Sequence, residues 1–222
     1  MKLAIFNGSP RNKKSNSKVL IDQFLNGYNS IDKEEIEVCF LASIKQREKA
    51  VDILESADTI ILIFPLYSDS MPGIVKEFIE NITAHTTTSN KNVGYIVQSG
   101  FPESIQSSFI ERYLKKFTEK RLSCNYLGTV IKGGVEGIQI MPANMTRKLF
   151  SRFYELGVYF ARTGTFSPQI TAKLRKPFKL SNGRKILFRI LNLTGLANYY
   201  WNSNLKKYGA YERRFDRPYE QV

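Results

Sequence analysis

Short, continuously apolar runs alternate along most of the chain with longer stretches in which apolar residues return every three or four positions. Such alternation separates strands from amphipathic helices. Residues 2–7 read as a first strand, and 35–41 as a second in which Ile36, Val38 and Phe40 alternate with polar residues. Residues 59–64, 92–98 and 126–131 supply a third, fourth and fifth. The third, Thr59-Ile60-Ile61-Leu62-Ile63-Phe64, is apolar on both faces, as a central parallel strand is when helices cover both sides of its sheet.

The intervening stretches have helical spacing. Val19, Leu20, Gln23 and Phe24 share a face of 15–28, and Ala50, Val51 and Leu54 share one of 47–56. Pro72-Gly73 opens a helix through Val75, Phe78, Ile79 and Ile82. Ile105, Phe109, Tyr113, Leu114 and Phe117 stripe 104–120, and Leu149, Phe153, Leu156, Tyr159 and Phe160 stripe 142–162. Five strands alternating with five helices predict an α/β chain with a doubly wound, five-stranded parallel sheet. Residues 1–164 read as that domain. Beyond Thr163-Gly164-Thr165 the alternation stops, and Pro168, Pro177, Asn182-Gly183 and Gly195 cut the chain into short pieces, so 165–222 reads as a mainly helical C-terminal extension.

Composition narrows the class. Of 222 residues, 42% are apolar, which suits a globular chain rather than a disordered one. No run of 18 apolar residues occurs, and the N-terminal strand reaches a turn too early for a signal peptide, so a soluble cytoplasmic protein is expected. Cys39 and Cys124 have neither metal-ligand spacing nor a partner motif. With His85 the lone histidine, a histidine-rich metal site and any two-histidine scheme are excluded; His85 itself reads as a loop residue after a helix.

The net charge of +13 is unevenly placed: residues 1–164 carry 21 Lys and Arg against 17 Asp and Glu, and 165–222 carry 12 against 3. The extension is thus the basic part of the chain. Within it, 184–193 sets Leu187, Ile190 and Leu191 on one helical face and Lys185, Arg189 and Asn192 on the other. A helical appendage packed on the sheet domain is one reading. A membrane-surface helix over 184–201, with Tyr199, Tyr200 and Trp201 nearby, is a second. Nucleic acid is not expected as a partner, since no helix-turn-helix or RNA-binding signature is present.

In an open α/β sheet ligands bind beyond the carboxyl ends of the strands, near the topological switch point. After the first strand comes Gly8-Ser9-Pro10-Arg11-Asn12-Lys13-Lys14-Ser15-Asn16-Ser17, leading directly into a helix. Free amides at a helix start, hydroxyl and amide side chains and the Arg11 fork make an anion socket; an ordinary polar loop with Ser15 as N-cap has the same composition. No Gly-Lys-Ser/Thr closes it, it is not Gly-x-Gly-x-x-Gly, and no acid ends the second strand, so neither common nucleotide motif is present. A monophosphate held by hydroxyls remains. After the third strand, Pro65-Leu66-Tyr67-Ser68-Asp69-Ser70-Met71-Pro72-Gly73 presents Tyr67 and Met71 beside polar groups, a wall suited to a flat heteroaromatic ring, though both side chains would also suit the core. Ser99-Gly100-Phe101-Pro102 follows the fourth strand. Lys132-Gly133-Gly134-Val135-Glu136-Gly137, after the fifth, reads as a wide flexible turn.

Gly8-Ser9-Pro10-Arg11 with Ser15-Asn16-Ser17, and Pro65-Leu66-Tyr67 running into Met71-Pro72-Gly73 and on to Lys76 and Phe78, closely resembles the flavodoxin-like NAD(P)H-dependent FMN reductases over about residues 1–160. The resemblance implies strand order 2-1-3-4-5, non-covalent FMN, and NADH or NADPH as electron donor. By position, Ser9, Arg11, Ser15, Asn16 and Ser17 would hold the phosphate. Pro65, Leu66, Tyr67 and Ser68 would line the isoalloxazine, and Ser99, Gly100 and Phe101 would close its other edge. The compact cysteine cluster of the related iron–sulfur flavoproteins is absent. The acceptor would be a small molecule such as a quinone, a nitro or azo compound, a metal ion or free flavin, and the chain would pair as a homodimer. No side chain is required as acid or base, so no catalytic residue is assigned. Two other functions remain: an electron carrier of flavodoxin type, which the basic charge and long extension disfavour, and a flavodoxin-like module docked by its extension on an anionic partner.

Overall fold

The computed structural model describes residues 2–33, 36, 38–85, 90–194, 198–217 and 220. Five strands form one parallel sheet: β1 (Leu3–Asn7), β2 (Val38–Phe40), β3 (Thr59–Pro65), β4 (Asn92–Gln98) and β5 (Asn125–Lys132), in the order β2-β1-β3-β4-β5. Among the described residues the helices are α1 (Asn16–Asn29), α2 (Ile44–Glu48), α3 (Ala50–Ser56), α4 (Gly73–His85), α5 (Ser108–Lys120), α6 (Ala143–Thr163), α7 (Pro168–Leu174), α8 (Asn182–Leu193) and α9 (Tyr199–Lys207). The chain folds into two compact units, Met1–Lys179 and Leu180–Val222.

The period-two rule divides the strand side chains between two cores. Phe6, Leu62, Phe64 and Tyr95 point to one face, where α3, α4 and α5 cover them with Leu54, Phe78, Ile79 and Leu114. Ile5, Ile61, Ile63, Ile96 and Val130 point to the other, under Leu20, Phe24 and Tyr28 of α1 and Phe153, Leu156 and Phe160 of α6. Every residue of β3 is buried, which is why its sequence shows no alternation.

The tightest seam in this unit is between α1 and α6. A Cβ built on Gly27 would lie 1.9 Å from the Tyr154 carbonyl oxygen, and one on Gly157 would lie 1.9 Å from that of Phe24. The two helices therefore meet backbone to backbone, and only glycine fits at either position. That contact brings α1 under β3 and fixes where its N-terminus emerges.

Several sequence expectations change in detail. The expected second strand narrows to Val38–Phe40, with residues 34, 35 and 37 outside the described set. The expected helix over 47–56 is two short helices, broken at Lys49. Residues 104–107 form a 3-10 turn before α5, whose buried stripe is Ile110, Leu114 and Phe117, while Phe109 and Tyr113 are exposed. Helix α7, begun by Ser167 as N-cap and Pro168 in its first turn, was not apparent from spacing. It stays with the sheet because Phe166 lies over Gly94, where a Cβ would come within 2.6 Å of its ring, and Leu174 is fully buried. Arg175 pairs with Glu111 of α5, at 2.9 Å for the Nη1–Oε1 bond. Cys39 and Cys124 are buried and form no disulfide, and no group of residues suited to a metal ion occurs among the described residues. No helix among the described residues is long and apolar enough to cross a membrane. The side chain of His85 and residues 195–197 lie outside the described set.

Candidate functional site

Parallel strands send all their following loops to one edge of the sheet, so the loops after β1, β3, β4 and β5 converge beyond the carboxyl ends. The first is held by its own side chains. Asn7, at the end of β1, accepts from the Ser9 amide at 2.9 Å and donates to the Ser15 hydroxyl at 3.3 Å. Ser15 donates to the Asn12 carbonyl at 2.7 Å and accepts from the Lys18 amide at 3.1 Å, acting as N-cap of α1. The cap serves Lys18, leaving the Asn16 and Ser17 amides as first-turn donors without an intrahelical acceptor.

The second loop is a tight reversal. Tyr67 and Ser70 exchange both backbone hydrogen bonds at 2.9 Å around Ser68 and Asp69. Ser68 (φ 46°) and Asp69 (φ 61°) both occupy the left-handed region, as a two-residue turn of this hand requires. Asn12, on the first loop, has φ 53°. Three of the five described non-glycine residues with positive φ thus sit on these two loops, the placement expected of strain retained at a functional site.

The fourth loop corrects the sequence reading. Residues 132–137 are not a loose turn but a wall tied to the rest. The Val135 amide donates to the Ser99 carbonyl at 3.1 Å, and the Gly134 amide to the Phe101 carbonyl at 2.8 Å. Asn16 donates from its side chain to the Val135 carbonyl at 2.9 Å. Gln139 donates to Asn16 Oδ1 at 2.9 Å and to the Lys14 carbonyl at 3.2 Å. Gly133 is required by close approach, since a Cβ there would lie 2.4 Å from the Phe101 carbonyl oxygen.

Together these loops enclose a small cleft of about 50 Å³, lined by Ser9, Arg11, Asn16, Pro65, Leu66, Tyr67, Gln98, Ser99, Gly100 and Glu136. One end is polar and cationic, with Arg11 and the start of α1. The other is apolar, with Pro65, Leu66 and the half-exposed Tyr67. Arg11 Nη1 lies 3.9 Å from Glu136 Oε1, a loose and solvent-facing ion pair.

Eight of the expected site residues line this cleft, and four do not. Ser15 is the helix cap. Ser17 is fully buried, its hydroxyl accepting from Gln98 Nε2 at 3.4 Å. Ser68 sits at the tip of the turn, and Phe101 contributes its carbonyl to the seam with Gly134. Met71 packs against the core and borders a separate groove with Lys76, Phe109 and Tyr113. Gln98 and Glu136 were not anticipated. Gln98 ends a strand and is 5% exposed, so the polar terminus of an otherwise apolar run was its available signal. Lys132, ending β5, is partly buried, and burial first, then Arg152, holds its ammonium below the usual lysine range.

A family model described as a flavodoxin-like fold matches residues 1–137. An FMN-dependent NADH-azoreductase from Bacillus anthracis, solved in complex with FMN, is similar over 72% of this chain and 99% of its own, with TM-score 0.54 and 17% identity. An NAD(P)H:quinone oxidoreductase from Methanothermobacter marburgensis matches over 72% and 96%, with TM-score 0.55 and 14% identity. General stress protein 14 from Treponema denticola, in complex with FMN, matches over 73% and 98%, with TM-score 0.55 and 12% identity. At these identities the likeness is one of fold. No curated protein matches the chain.

Proposed function

The chain belongs to the flavodoxin-like fold family, and from that premise we propose that it is an FMN-dependent NAD(P)H oxidoreductase acting on a small electron acceptor. The observation that carries this reading is the two-ended cleft: an anion socket at the start of α1 joined to an apolar wall at the end of β3. Bound FMN would supply the redox chemistry, taking a hydride from NADH or NADPH and passing reducing equivalents to a quinone, a nitro or azo compound, a metal ion or free flavin.

The donor set suits that group. Buried Ser9 and Asn16, cationic Arg11 and the first-turn amides of α1 offer donors to a phosphate, which a helix N-terminus favours electrostatically. Pro65 and Leu66, both largely buried, contribute apolar lining, and the half-exposed Tyr67 stands beside them. Ser99, Gly100 and Gln98 offer polar groups to a ring edge. The chain's role is to bind, orient and shield. No side chain in the cleft is assigned a proton-transfer step.

A homodimer located in the cytoplasm completes the proposal. The test is the visible absorption spectrum of the purified chain, before and after adding FMN and removing the excess. Bound flavin bands that bleach on adding NADH or NADPH, with no second protein present, are the expected result. Bands that stay oxidised until a separate reductase is added would mark an electron carrier instead. No retained flavin would overturn the assignment of the cleft.

A further inference from the structure

The C-terminal unit, Leu180–Val222, has apolar surface that it does not bury. Helix α8 begins at Ser181, whose hydroxyl accepts from the Arg184 amide, and runs to Leu193 without a single buried residue. At 100° per residue, Ile186, Leu187, Ile190, Leu191 and Leu193 fall on one side of it, and Lys185, Arg189 and Asn192 on the other, with Arg184 at the margin. Ile186, Leu187, Ile190 and Leu193 are each more than half exposed, Leu193 at 89%. By contrast α6, with a similar stripe, buries Phe153, Leu156 and Phe160 completely. Tyr199 and Trp201 of α9 and, further on, Tyr208 and Phe215 are also exposed. Lys206 and Arg214 lie over the Tyr211 ring, and Lys207 over that of Tyr208.

Charge decides what could cover this surface. The unit carries eight Lys and Arg against three Asp and Glu, and residues 1–179 carry 25 against 17. The C-terminal unit is the more strongly cationic for its length, so two such units set face to face would meet like charge. The complementary partner is anionic. Nucleic acid would satisfy the cations, but offers no hydrocarbon to a five-residue aliphatic stripe. An anionic bilayer offers both. The stripe enters the boundary between headgroups and acyl chains, lysines and arginines stay among phosphates, and Trp and Tyr occupy the interface.

We propose that the C-terminal unit docks the protein on the surface of an anionic lipid bilayer, with the aliphatic stripe of α8 inserted and Arg184, Lys185, Arg189 and the basic residues of α9 paired with lipid headgroups. No spanning segment is involved. Docking does not depend on the flavin assignment. Only its consequence does: an oxidoreductase held there draws on acceptors dissolved in the bilayer.

The test is co-sedimentation of the full-length chain with extruded vesicles, either phosphatidylcholine alone or phosphatidylcholine mixed with phosphatidylglycerol. The expected result is binding to the mixed vesicles, little binding to the neutral ones, and weakening as salt is raised. Replacing Arg184, Lys185 and Arg189 together by Gln should lower the partition coefficient by roughly 100-fold. The double variant Leu187→Glu, Ile190→Glu should abolish binding while leaving the melting of the sheet unit unchanged, since neither side chain is buried. Equal sedimentation of this variant would overturn insertion of the stripe, and binding to a DNA duplex that the glutamates do not weaken, without binding to vesicles, would overturn the proposal in favour of nucleic acid. A dimer in solution that the same glutamates dissociate would overturn it in favour of self-association. Loss of flavin with retained vesicle binding would refute the cleft assignment alone.

Discussion

The side-chain amide of Asn16 bridges the first turn of α1 to the carbonyl of Val135, 119 residues away in sequence, at 2.9 Å. Both residues are buried, and Gln139 completes the arrangement by donating to the same amide's oxygen. The bond joins the two sides of the cleft, so its loss should be felt in stability and in ligand binding together. Asn16→Ala leaves the Val135 carbonyl and the Gln139 amide without this partner, which should cost about 1–3 kcal/mol. Asn16→Asp should be worse for flavin, because it sets a carboxylate against a carbonyl oxygen and beside the phosphate socket. Urea unfolding and flavin titration of both variants measure this. An alanine variant as stable as the parent would show that the bridge contributes nothing.

The parallel sheet was legible because five apolar runs, separated by helical spacing, admit few topologies, while its strand order came from the family resemblance of the loops after β1 and β3. The loops after β1 and β3 were legible because Gly8 to Ser17 and Pro65 to Gly73 carry dense polar and proline signals. The loop after β5 was not. Its glycines suggest looseness in isolation, and only the tertiary approach of Phe101 to Gly133 explains them. Glu136 was invisible for the same reason, since what places it in the cleft is a pair of backbone bonds from Gly134 and Val135 to another loop. The α5 stripe misled because Phe109 and Tyr113 have the same helical spacing as the buried Ile110, Leu114 and Phe117, and spacing alone does not say which of two adjacent faces the sheet covers.

Gly157 gives a sharp test of the α1–α6 seam. Alanine there would place Cβ 1.9 Å from the Phe24 carbonyl oxygen, a backbone atom that cannot rotate aside. Separating two packed helices should cost about 3 kcal/mol or more. Gly183→Ala is the matched control, because nothing lies within 4 Å of its Cβ and its place in α8 gains helix propensity. Thermal melting should therefore drop sharply for the first variant and hold or rise slightly for the second.

Arg11 is exposed, and its pairing with Glu136 at 3.9 Å is too loose and too solvated to stabilise the fold measurably. Its expected role is toward the phosphate. Arg11→Gln should weaken flavin binding by about tenfold or more, as the loss of one charge-assisted hydrogen bond implies, and leave the urea midpoint of the flavin-free protein unchanged. Removing the competing carboxylate with Glu136→Gln should move affinity the other way. Fluorescence quenching of free FMN reads both. Equal affinity in Arg11→Gln and the parent would remove Arg11 from the phosphate socket.

Tyr95 should govern stability at high pH. Its phenol is buried in the core, and burial raises its pKa far above the ordinary value of about 10, outweighing the opposite effect of its 2.7 Å hydrogen bond to Thr118. The neighbouring Tyr126 is raised in the same direction, again chiefly by burial. A raised native pKa stabilises the fold fully below the unfolded value. Above about pH 10 the unfolded chain releases the proton that the native phenol keeps, so stability falls with rising pH, by about 1.4 kcal/mol per unit for each such group. In Tyr95→Phe, Thr118 keeps its bond to the Leu114 carbonyl at 2.8 Å, so the cost near neutrality should be only about 1 kcal/mol. Over pH 10–12 the variant should lose stability less steeply than the parent, with Tyr126 supplying the remaining slope. Urea unfolding at intervals across that range gives both curves; parallel curves would mean that Tyr95 is not the group that titrates.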